Sequence, residues 1–258
     1  MTDAGFIPGI YNYCDRWCER CDQRLHCMSF VMGKKIEERG GFHFDREASR
    51  EGDSIWTRLK EVFESTYDVL QELAHERGME VEDIYAAENI DKEFLGESYE
   101  SQVKGVKCNA KVEKTDIIRM CMIYEDLADK YLEKIYESMD DIEKEKKQDL
   151  TDEALEVVNW YLDLIQAKMR RALYGYYYQV CSKHIDSGDY NGSAKVALLS
   201  IDRSIEGWKV ILEYFPAYQR EIAHLLIILE QLREDIEEHF PEARAFLRPG
   251  FEKIVASF

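Results

Sequence analysis

Four thiols fall within fourteen residues, Cys14, Cys18, Cys21 and Cys27, in the spacing C-x3-C-x2-C-x5-C. Four thiolates make up the complete ligand set of a structural zinc or of a cubane iron–sulfur cluster. Both centres need soft, deprotonated sulfur, and the metal itself supplies the stabilisation that deprotonates it. Cys18 and Cys21 form the tight pair, and Cys14 and Cys27 close from either side. The competing chemistry is a pair of disulfides, which an acidic intracellular protein of this size neither keeps nor needs. Arg16, Arg20 and Arg24 are placed to offset the negative charge of a four-thiolate centre, and Tyr13 or Trp17 to shield it.

A second constellation consists of Glu72-x-x-His75 and Glu221-x-x-His224, each a carboxylate and an imidazole one helical turn apart. Two such pairs resemble the ligand helices of ferritin-like di-iron proteins, which implies an oxidase or iron-storage chemistry with Glu125 or Asp163 bridging. With 32 glutamates and six histidines in the chain, two pairs are close to chance. The order of the helices also departs from that family. His224 is the more interesting member, because its helix reads as apolar all round and a buried histidine is expected there.

These residues need elements to hold them. Prolines are few, and none falls between Pro8 and Pro216, so long helices are allowed. Apolar residues at helical spacing predict a first helix over 54–77 with Gly78 as its cap. The stretch 79–112 reads as a long irregular connection, with Cys108 an exposed thiol within it. Thr115 caps a long helix fading into the charged run 143–147, and Thr151 caps the next, to residue 182. Those two form an antiparallel hairpin. Gly175, amid Tyr174 and Tyr176 to Tyr178, marks a close helix contact or a bend. A turn over 186–192 leads to a helix capped by Ser193, Pro216 interrupts, and the final helix over 217–239 is the expected bundle centre. Cys121 and Cys181 are expected to pack as small apolar residues.

No alternating strand, internal repeat or low-complexity tract is present. The expected fold is all-α, a bundle of about five long helices over 51–258 with a small cysteine-rich metal-binding module over 1–50. The charge supports that division: residues 1–50 carry eight acidic and eight basic side chains, so the whole surplus behind the net charge of −18 lies beyond them.

The part Cys18-x2-Cys21-x5-Cys27 is similar to the last three ligands of the 4Fe-4S segment in the endonuclease III family of DNA glycosylases and in iron–sulfur RecB-family nucleases. That likeness spans about ten residues and implies a cluster, not their catalysis. Cys14-x3-Cys18-x2-Cys21 resembles the radical SAM motif, but those enzymes are built on strands, and Cys27 stands where their open iron position belongs. Only one C-x2-C knuckle is present, whereas zinc sites usually pair two. A 4Fe-4S cluster is therefore the first expectation and zinc (Zn2+) the alternative.

The acidity argues against nucleic acid and anionic lipid as partners, since binding phosphates requires a surplus of Lys and Arg. The first residues show neither the basic nor the apolar region of a signal peptide, and no apolar run approaches a bilayer span. The expected protein is a cytoplasmic helical metalloprotein, structural or electron-transferring, with a di-iron oxidase or a partner-binding helical module as alternatives. The tail from Ala243 to Phe251 is a basic, aromatic patch able to dock back on the bundle or to reach a protein partner.

Overall fold

In the computed structural model of the chain, the described residues are 5–40, 55–78, 80–81, 99–139, 148–182 and 189–252. They are all-α: among them are seven helices of eleven residues or more, and no strand. We number these α1 (Met28–Glu38), α2 (Ile55–Glu76), α3 (Tyr99–Val112), α4 (Asp116–Met139), α5 (Gln148–Ser182), α6 (Asp189–Tyr214) and α7 (Gln219–His239). Short 3-10 turns lie at Ile10–Asn12, Cys18–Arg20, Arg24–His26 and Pro216–Tyr218.

The chain divides into two compact units. Unit one comprises residues 1–96 and 248–258, and unit two residues 97–247. The division falls later than the charge break at residue 50, because α2 packs on α1. Lys35 reaches Glu72 at 3.0 Å and Glu76 at 2.7 Å, and Arg39 also pairs with Glu72. Beneath these bonds Leu70 and Ala74 of α2 pack against Met28 and Met32 of α1. Gly78, at φ +63°, ends α2 in the left-handed conformation that caps a helix.

Unit two holds α3 to α7 around one apolar core. The α5–α6 pairing is the most extensive, and Gly207 permits it: a Cβ there would lie 2.8 Å from Val158 Cγ2. Gly175 marks a second close approach, since its Cβ would stand 3.3 Å from Tyr190 Cβ. Buried Trp208 donates from Nε1 to Tyr124 Oη at 3.0 Å, and burial pushes that phenol up to about 12. Tyr176 packs edge-on against Tyr190, His239 and Phe240, so the tyrosine run forms a helix seam.

Several expectations require correction. Residues 99–112 are helical, not irregular, and Cys108 is buried at 2% exposure; residues 82–98 lie outside the described residues. Gly105 lets α3 approach α5, 3.1 Å separating its Cβ position from Tyr174 Oη. Thr115 does cap α4, accepting from Ile118 N–H at 3.4 Å. However, α5 begins at Gln148 and α6 at Asp189, which puts the supposed caps Thr151 and Ser193 inside helices, both buried. Nor is α7 the centre. It buries one face (Ile222, Leu225, Ile228, Leu229, Leu232, Ile236) and leaves Ile227 67% exposed and His224 at the surface. The most buried helix is α6, whose small and polar residues conceal that role in the sequence.

Candidate metal centre

The segment 5–27 is held by turns rather than by a regular element. Ile7 N–H donates to His26 C=O at 2.9 Å and closes it into a loop. Inside the loop, Asp15 Oδ1 accepts from Trp17 N–H at 3.2 Å, an Asx turn. Arg16 sits at φ +60°, a conformation that costs a residue with a Cβ on the order of 1 kcal/mol. That reversal lets Cys14 and Cys18 face the same space. Cys18 opens one 3-10 turn, Cys21 follows it, and Cys27 is the N-cap of α1.

Cys14, Cys18, Cys21 and Cys27 all line one small cavity of about 20 Å³. Organic ligands usually occupy roughly 300 Å³ or more and a single water about 10–15 Å³, so the space as it stands is the size of a single ion. Ile10, Tyr11, Trp17, Phe30 and Phe251 supply apolar walls, and Asp15, Arg16 and Arg24 supply charge at the rim. Trp17 is 6% exposed and carries the Arg20 guanidinium over its ring at 4.0 Å. Arg24 is fixed by a 3.2 Å bond from Nη1 to Glu19 C=O. Two of the three arginines expected to offset thiolate charge therefore border the cavity, and the third stacks on its wall.

Burial dominates the electrostatics of Cys18, Cys21 and Cys27. Burial, and then the charges of Cys14, Cys27 and Cys21, push the Cys18 thiol up to about 11. Cys21 and Cys27 are raised as well, first by burial. Backbone N–H groups oppose this: Gln23 donates to Cys21, and Phe30 and Ser29 in the first turn of α1 donate to Cys27. Such donors stabilise thiolate and orient it. Cys14 instead directs its Sγ toward Tyr11 C=O at 3.5 Å. Burial first, and neighbouring sulfurs after it, thus disfavour ionisation of Cys18, Cys21 and Cys27; a bound cation would reverse that balance.

The four sulfurs share a cavity without forming a closed ligand shell, and among the described residues no group of three or more His, Cys, Asp or Glu side chains is arranged to hold an ion. The second constellation is further from one. Lys35 and Arg39 occupy Glu72, and His75 is exposed. Glu221 and His224 belong to the other unit, His224 exposed rather than buried. Glu125 and Asp163 do border a common surface cavity, with Asp126, Asp129 and Arg170.

Sequence reasoning missed two participants. The left-handed turn at Arg16 has no signature, because arginine is not a residue that favours it. Phe251 lies more than 200 positions from the cysteines; the sequence marks it as part of an aromatic tail able to dock on the bundle, but not as a neighbour of the thiols in unit one. Among the described residues no helix is long and apolar enough to cross a membrane. Compared with known proteins, the chain matches no family model, no curated protein and no solved structure.

Proposed function

We propose that Cys14, Cys18, Cys21 and Cys27 hold one metal centre, a 4Fe-4S cluster in first place and zinc in second, and that the centre acts as a structural staple of unit one. The observation that carries the reading is the convergence of all four thiols on one apolar-walled cavity. Backbone donors to Cys21 and Cys27 support it, because hydrogen bonds to sulfur are the usual means of tuning such centres.

The structural role is proposed from the described residues of unit one. Its buried apolar residues, among those described, are Ile10, Trp17, Cys27, Val69, Leu70, Leu73 and Ala74. A core of that size stabilises a small unit poorly, and natural proteins then add disulfides or a metal. A thiolate centre joins the 14–21 turns to the start of α1 at one point. All six described cysteines are free thiols, and we assign the protein to the reducing cytoplasm on that ground. The acidic balance speaks against nucleic acid as a partner.

The test is elemental analysis of anaerobically purified protein beside a variant with all four cysteines changed to serine. The expected result is brown protein absorbing near roughly 400 nm with about four irons per chain, or colourless protein with about one zinc, and neither in the variant. Wild-type protein without either metal, all four thiols open to alkylation, overturns the reading.

A further inference from the structure

We infer that the turn Arg248–Glu252 is a strap across the cysteine cavity, and that its release sets how fast reagents, chelators and metal reach the four thiols. The inference rests on the proposed metal centre for what the strap guards, but not for where the strap lies. Among the described residues, every one lining the cavity comes from positions 10–30 except Phe251. The wall formed by the other residues is continuous in sequence with the cysteines and cannot leave without dismantling them. Phe251 can.

The turn is built to close on itself and to seat in one place. Phe251 N–H and Glu252 N–H donate to Arg248 C=O at 3.1 and 3.2 Å. Arg248 Nε meets Glu252 Oε1 at 3.0 Å, with both side chains mostly covered. The guanidinium lies 4.8 Å from the centre of the Phe251 ring. Gly250, at φ +78°, presses so near the N-terminal segment that a Cβ would stand 2.8 Å from Ile7 Cδ1 and 2.9 Å from Ile10 Cδ1. The Phe251 ring at the cavity and the Ile7 and Ile10 side chains against Gly250 are the apolar contacts that seat the turn.

The experiment uses the full chain in four variants: Gly250→Val, Phe251→Ala, Phe251→Leu and, as a control just before the strap, Leu247→Ala. In metal-loaded protein the rate of metal loss to a chelator is measured. In reduced, metal-free protein the alkylation rate of each cysteine is read by peptide mass spectrometry, with Cys108 and Cys121 as reference. Local opening controls such rates, so Gly250→Val and Phe251→Ala are expected to raise both roughly tenfold at Cys14, Cys18, Cys21 and Cys27. Phe251→Leu, which keeps an apolar wall, and Leu247→Ala stay near wild type, as do Cys108 and Cys121 in every variant.

Wild-type rates in both Gly250→Val and Phe251→Ala overturn the inference. So does acceleration accompanied by loss of amide protection in α1 and α2, since the turn is then part of the unit's core and not a strap. If the wild type binds no metal, the proposed function fails, while the alkylation arm still decides the strap.

Discussion

Unit two buries a continuous apolar interior that runs from Val112 at the end of α3 through α4, α5, α6 and α7 to Ala243. Unit one, among its described residues, has two helices joined by the Lys35 and Arg39 bridges, a patch around Leu70 and Ala74, and a loop-built segment with Ile10 and Trp17 at its heart. The exposed bridges add little to stability. The contrast teaches where a prosthetic centre has physical work to do. Cysteine ligands are expected where apolar burial is thin, and a core like that of unit two needs none.

The largest effect should come from breaking the staple. Chelation, or serine at Cys14, Cys18, Cys21 and Cys27, should abolish slow amide exchange in α1 and α2 and leave it intact in α4 to α7, because structural metal binding is folding energy. Equal loss in both units would dissolve the contrast. The converse perturbation is Trp208→Ala, which removes a fully buried ring and its bond to Tyr124. It should destabilise unit two by about 3–5 kcal/mol, measured by denaturant unfolding, with metal content unchanged.

A subtler test concerns pH. In metal-free protein the folded Cys18 thiol titrates near 11, above its ordinary 9.0. A raised folded value means that its stabilisation is complete below about 9 and fades as pH rises toward 11. Loaded protein should instead weaken on acidification, as protons compete with the metal for sulfur. Thermal melts of unit one across pH should thus slope in opposite senses with and without metal.

The smallest effect belongs to unit two. Burial, and then Asp163, raise the Glu125 carboxyl, and its Oε2 is buried without a hydrogen-bond partner. Its folded form is favoured below the ordinary value of 4.5 and penalised above it. Glu125→Gln should therefore raise the melting temperature of unit two slightly at neutral pH, the gain disappearing below pH 4.5.

The cysteine quartet was legible because its information is local: four thiols in fourteen positions carry their chemistry with them. The all-α class was legible from helical periodicity and the scarcity of proline. Helix α3 escaped because Gly105 and its polar surface read as a break, whereas in the fold that glycine is a contact point and, among residues 105–112, Cys108 and Val112 are buried. Helices α6 and α7 exchanged roles for a related reason. Hydrophobicity alone favoured α7, yet α6 goes inside with part of its polar groups satisfied, one within the helix and one by a distant carbonyl, while Ser193 and Ser204 Oγ are buried without a hydrogen-bond partner. Ser200 Oγ donates to Val196 C=O at 2.8 Å, and Lys195 Nζ to Phe246 C=O at 2.6 Å. Burial is a tertiary property, and composition alone does not report it.

The discontinuity of unit one also imposes an order in time. The cysteines leave the ribosome early, and Phe251 follows after some 220 further residues, a delay on the order of 10–40 s at ordinary elongation rates. During that interval the thiols have emerged and Phe251, the distant residue lining their cavity, has not been made. If the proposed metal centre and strap hold, metal delivered while the chain is growing would reach the thiols before the strap is in place.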